Sequence, residues 1–153
     1  MEIPWQELVT RLLLATVLSA VIGVEREVHQ KPAGIRTNAL IGLGSALMTV
    51  CGILATSGVP GADPARIGSI VVQGIGFLGA GAIIQSSGTV RGLTTAASMW
   101  VVAGIGIAAG FGYYALAITT SFVALVLLAI FGPLDARLIK DEYGQRASPL
   151  RRE

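Results

Sequence analysis

The chain has 153 residues, of which 53% are hydrophobic and only 13% charged, and its mean hydropathy is +0.72. A soluble domain carries about a quarter of its residues as charges, so the composition excludes an ordinary soluble globule and points to the membrane class. A formal net charge of +2 gives no reason to expect a nucleic-acid partner, and the single cysteine, Cys51, lies in an apolar segment and offers neither a disulfide framework nor metal-ligand spacing.

A membrane-spanning helix needs about 20 mostly apolar residues, and polar punctuation predicts five of them, near 8–24, 37–57, 67–85, 93–111 and 113–131. Glu2 and Glu7 precede the first and no small-residue cleavage site follows it, so it reads as a retained helix rather than a signal peptide. Arg11, near its outer end, is expected to snorkel to the interface in preference to forming an internal ion pair. The segment VEREVHQKPAGIRTNA then concentrates Glu25, Arg26, Glu27, Lys31 and Arg36 at a membrane boundary. Neighbouring residues on a helix point to different sides, so Glu25 and Glu27 need not share a ligand. Two readings stand for this segment, a solvated, charge-balanced collar and one wall of an inner polar site; His29 is expected to be an interface residue.

The second span contains Asn38, Thr49 and the small pair Gly42 and Ala46. SGVPGADPAR follows as a loop, in which Asp63 before Pro64 is predicted to cap the third helix. Gly74, Gly76, Gly79 and Gly81 have glycine-loop spacing but no preceding strand and no acidic residue at the right distance, so a nucleotide site is not expected. They are expected instead to be thin places where backbones approach, which would put the third span at the centre of the bundle, and Gly106 and Gly110 form a further GxxxG pair in the fourth. Gln73, Gln85, Thr94, Thr95 and Ser98 must find partners that lipid does not offer, either in neighbouring helices or in a polar cavity. Gly110–Gly112 is so tight a link that the fourth and fifth spans are either two helices or one kinked helix.

Basic residues orient the bundle. With the N-terminus outside, Arg26, Lys31, Arg36, Arg91, Arg137, Lys140, Arg146, Arg151 and Arg152 fall inside and only Arg66 outside, which predicts an N-out, C-in arrangement. Trp5, Tyr113 and Tyr114 then sit near the outer interface. The organisation expected is an all-α, polytopic membrane helix bundle over residues 1–131 and a short cytoplasmic polar tail over 132–153. Laying Gly23 on Gly81 also lays Gly34 on Gly92, Thr37 on Thr95 and Ala39 on Ala97, which is either a weak parallel repeat or chance likeness between glycine-rich segments.

The succession GVERE at 23–27, AGIRT at 33–37, GSAL at 44–47, DPARI at 63–67, GIGFLGAGAII and VRGLTTAASMW resembles the MgtC/SapB family over about residues 8–131. The resemblance implies a bacterial inner-membrane protein tied to growth in low magnesium and to acid or intracellular stress, in some members through restraint of the rotary ATP synthase. Longer members continue into a soluble cytoplasmic domain, whereas this chain closes with LDARLIKDEYGQRASPLRRE and looks like the short SapB branch.

Two function classes follow. The first is a non-enzymatic, homo-oligomeric membrane regulator without cofactor or resident metal, embedded in the lipid bilayer and binding another membrane protein such as the ATP synthase. Its candidate inner polar site comprises Glu25, Arg26, Glu27, Arg36, Thr37, Asn38, Arg91, Thr94 and Thr95. Arg91 is either a topological anchor or a planar fork tying its hairpin to Glu25 or Glu27. The second class is a transporter or channel for Mg²⁺ or another small solute. Mg²⁺ favours hard oxygen ligands including carboxylates, yet no Asp or Glu lies between Ile67 and Phe131, and Asp63 is expected on the face opposite Glu25 and Glu27. An enzyme is not expected, for want of a nucleotide motif or of a nucleophile beside a base.

Overall fold

The computed structural model describes residues 3–86 and 89–146. Its elements are α1 (Trp5–Val28), α2 (Ile35–Thr56), α3 (Ala65–Ala82), β1 (Ile84–Ser86), β2 (Thr89–Arg91), α4 (Leu93–Phe111) and α5 (Tyr114–Arg146). All five helices are long and apolar enough to cross a membrane, α5 through its Tyr114–Gly132 part. The chain is therefore an all-α, multi-pass membrane bundle.

The third span stops at Ala82, short of the expected 85, because Ile83 turns extended (φ −91°, ψ 121°) and feeds a two-stranded antiparallel hairpin. Gln85 pairs with Val90 in that hairpin instead of sitting in a membrane helix; its side chain lies outside the described residues. β-Branched Thr89 and Val90 suit the extended state, and strand pairing satisfies backbone groups at the end of the span. The fourth and fifth spans are separate helices. Gly112 adopts the left-handed conformation (φ 82°), its N–H donates to Ala109 O at 2.9 Å, and the Tyr113 N–H donates to Ala108 O at 2.9 Å. These two bonds form a Schellman C-cap. The apolar part of α5 ends at Gly132, and the same helix continues through Pro133 to Arg146.

The helix at the centre is α4, which packs against each of the other four. Over half of its span (56%) is buried, against 17% for α3, so the glycine-rich third span is peripheral and not central. A Cβ at Gly74, Gly76 or Gly81 would meet nothing within 4 Å, and only Gly79 faces a neighbour, Ala96, at 3.5 Å. The glycines that bring backbones together are Gly106 and Gly110. A Cβ on Gly106 would come within 2.5 Å of Gly42 O, and one on Gly110 within 2.7 Å of Thr49 Cβ and 2.9 Å of Ala46 O. In a membrane, where burial from water does not drive helices together, such close van der Waals contact replaces it. The core around this crossing is accordingly small: Ala15, Ala46, Ala103, Ala108, Ala109 and Ala117, with Ile22, Val102 and Ile105 between them.

Candidate functional site

Polar chemistry gathers at the end of the bundle where α1 passes to α2 and the hairpin passes to α4. Ser19, Ile22, Gly23 and Arg26 share the inward face of α1, as their three- and four-residue spacing requires. Arg26 is 5% exposed, and its Nη2 donates to Thr95 Oγ1 of α4 at 3.3 Å. Its Nη1 lies 3.8 Å from Glu25 Oε2, while Arg26 Nε and Glu25 Oε2 are buried without a hydrogen-bond partner. The other Glu25 oxygen, Oε1, is 3.2 Å from His29 Nδ1, which is also 2.8 Å from Glu25 O. Both are acceptors, so Nδ1 carries the imidazole proton.

Adjacent Glu27 turns elsewhere. Its Oε2 accepts the Ile35 N–H at 3.0 Å and caps α2, where a carboxylate is favoured by the helix dipole. Between the helices the chain reverses through left-handed Gln30 (φ 54°) and Ala33 (φ 58°). Fully buried Asn38 pins this reversal, its amide donating to Ala33 O and, at 3.1 Å, to Gly34 O; Asn38 Oδ1 is left unpartnered, as is Ser19 Oγ. Ser98 donates to Thr95 O at 2.8 Å. Glu25, Arg26, Asn38 and Thr95 thus come together in or beside the buried interior, with Ser19 and Ser98 below them.

The remaining members of the expected inner site do not join them. Arg36, Thr37, Arg91 and Thr94 are exposed. Among the described residues Arg91 forms no ion pair, because Glu25 is taken by Arg26 and His29 and Glu27 by the α2 backbone. Gln73 is exposed on α3. Thr94 and Ser98 line, with Thr120, a cavity of about 440 Å³ between α4 and α5. Asp63 Oδ1 accepts the Ala65 N–H at 2.8 Å, at the opposite end from Glu25. The proposed repeat places Gly34 and Gly92 alike as residues preceding a helix, but Thr37 is exposed where Thr95 is buried, and a Cβ would clash at Gly23 and not at Gly81.

A second polar cluster lies at the other end, where the less favoured internal ion pair of Arg11 is the one that forms, with partners the sequence did not name. Arg11 does not snorkel: its Nε meets Glu7 Oε1 at 3.0 Å and its Nη1 donates to Gly110 O at 2.9 Å. The Tyr114 hydroxyl donates to the same Glu7 oxygen at 2.6 Å. A cation at the C-terminus of α4 and a carboxylate one turn before it make the internal pairing the better satisfied one. The four-residue spacing of Glu7 and Arg11 was the available signal; the α4 carbonyl was not visible in sequence. Among the described residues no three His, Cys, Asp or Glu side chains converge as metal ligands.

The family model for the MgtC family matches residues 12–137. Putative magnesium transporter YhiD of Escherichia coli (strain K12) is 43% identical over 143 residues, 90% of this chain and 66% of that protein. Protein MgtC of Salmonella typhimurium (strain LT2) is 42% identical over 117 residues, 76% of this chain and 49% of that protein. An uncharacterized protein of Synechocystis is 38% identical over 131 residues, covering 86% and 55%. The chain thus spans about half to two thirds of the length of these curated relatives. No solved structure matches it. With a match across all five spans, including the Arg26 and Thr95 that meet at the polar end, the chain belongs to the MgtC family.

Proposed function

We propose that this protein acts by binding, as a non-enzymatic regulator in the bacterial inner membrane, and that the Arg26 end of the bundle is its recognising part. One observation carries the reading: a guanidinium buried among membrane helices keeps an unbonded Nε–H, and the Glu25 oxygen that faces its Nη1 at 3.8 Å accepts no hydrogen bond. Ionisable groups inside a membrane are costly and usually serve function. Their spare hydrogen-bonding capacity lies buried in this conformation, and a partner helix or an ordered ligand would meet it on a small opening of this end of the bundle. The basic-residue bias supports placing this end in the cytoplasm. The resemblance to MgtC supports a role in magnesium limitation or acid stress, with another inner-membrane protein, such as the ATP synthase, as the partner.

The test is growth rescue in low magnesium by Arg26→Lys in a strain lacking its own MgtC-family gene. Lys keeps the charge and loses the planar fork. The proposal expects a variant that inserts at wild-type level yet fails to rescue; full rescue would show that charge alone suffices and would sink it. A second reading, Mg²⁺ transport, draws on the name of the E. coli relative. The carboxylates near the spans, Glu25 and Glu27 at one end and Glu7 and Asp63 at the other, are separated by the length of the bundle.

A further inference from the structure

Between α2 and α3 the bundle is split by a groove of about 530 Å³. Its walls are apolar, and it exists because Gly44 on one side and Gly74 on the other carry no side chain to fill it. Leu40, Met48 and Leu78 on its rim are exposed, so it opens sideways to whatever surrounds the bundle. From Arg36 to Met48 it follows α2 for about 18 Å at 1.5 Å per residue. That is close to the hydrocarbon depth of one leaflet, roughly 15 Å.

At the polar end stand Arg36 and the Thr37 hydroxyl. Arg36 makes no ion pair among the described residues, and the α2 terminus beside it is already served by Glu27. No Asp or Glu is among the described residues lining the groove, so a headgroup ammonium would find no partner there, whereas a phosphate would find a fork of donors.

We propose that this groove is a binding site for one anionic phospholipid, its acyl chain lying along Gly44 and Gly74 and its phosphate held by Arg36. Basic pockets between membrane helices recognise anionic headgroups in this way. The site is independent of the Arg26 cluster, and its test does not depend on how that cluster functions.

Native mass spectrometry of the full chain in mild detergent, supplied with phosphatidylglycerol and phosphatidylcholine of matched chains, reads the site directly. Wild type should retain one phosphatidylglycerol per chain, favoured over phosphatidylcholine by about fivefold, the factor one basic group supplies near anionic lipid. Arg36→Gln should bring that ratio to unity with packing untouched. Gly44→Leu with Gly74→Leu should remove the retained lipid while helix content stays at wild-type level, since a Cβ at either position meets nothing within 4 Å. Equal retention of the two lipids by wild type, or unchanged selectivity in Arg36→Gln, would overturn the proposal. So would a dimer that the paired leucines dissociate, which would make the groove an interface between copies.

Discussion

A guanidinium 5% exposed must be matched by its surroundings, and Arg26 is matched only in part, by Thr95 and by Glu25 at 3.8 Å. Replacing Arg26 with Leu leaves the Glu25 carboxylate without its cation, a change expected to cost about 3 kcal/mol in unfolding experiments in micelles. Adding Glu25→Gln should recover part of that loss, because the stranded charge is removed as well; a double variant no more stable than Arg26→Leu would contradict the pairing. Thr95→Val removes one hydrogen bond to a charged donor and should cost about 2 kcal/mol. Arg91→Gln, by contrast, touches no ion pair among the described residues and should stay within about 0.5 kcal/mol of wild type. The sequence places Glu25, Arg26, Glu27 and Arg91 at the same end, but it does not say which arginine is buried. That depends on helix phase: Ser19, Ile22, Gly23 and Arg26 form a stripe on α1, whereas Arg91 closes a hairpin strand.

At the scale of elements, all five spans are legible to within a few residues because apolar length and Gly/Pro punctuation fix them, and the Gly112 left-handed cap explains why the tightest link still ends a helix. The hairpin is not legible, since Ile83 and Ile84 continue the apolar run of α3 without a Gly or Pro to break it. Nor does glycine density reveal which glycines are packed: α3 has more of them, but α4 presents Gly106 and Gly110 to the α2 backbone. Gly106→Leu should therefore abolish folded protein, measured as the monodisperse fraction after detergent extraction, while Gly76→Leu should leave it unchanged. Loss of folded protein in Gly76→Leu alone would put a partner against that face of α3. Gly112→Ala forces a Cβ into the left-handed region and should cost about 1 kcal/mol.

The whole molecule is a bundle closed at its middle and polar at its ends. Where α1, α2 and α4 cross, Gly42, Gly106 and Gly110 bring backbones into contact, and Ser19 and Thr49 fill the space that remains. Backbones and small side chains thus meet directly along that line, and the two ends hold Arg26 with Glu25 and Arg11 with Glu7. In a Cys51→Ser background, a cysteine at Gly61 should be labelled from outside the cell and one at Lys31 should not, if the basic residues orient the chain N-out. The most direct test of a binding role is Mg²⁺ uptake into proteoliposomes holding the purified chain, followed with an entrapped magnesium-sensitive dye. A close-packed crossing of α1, α2 and α4 predicts uptake no faster than in protein-free vesicles, and saturable uptake that Glu25→Gln abolishes would contradict it.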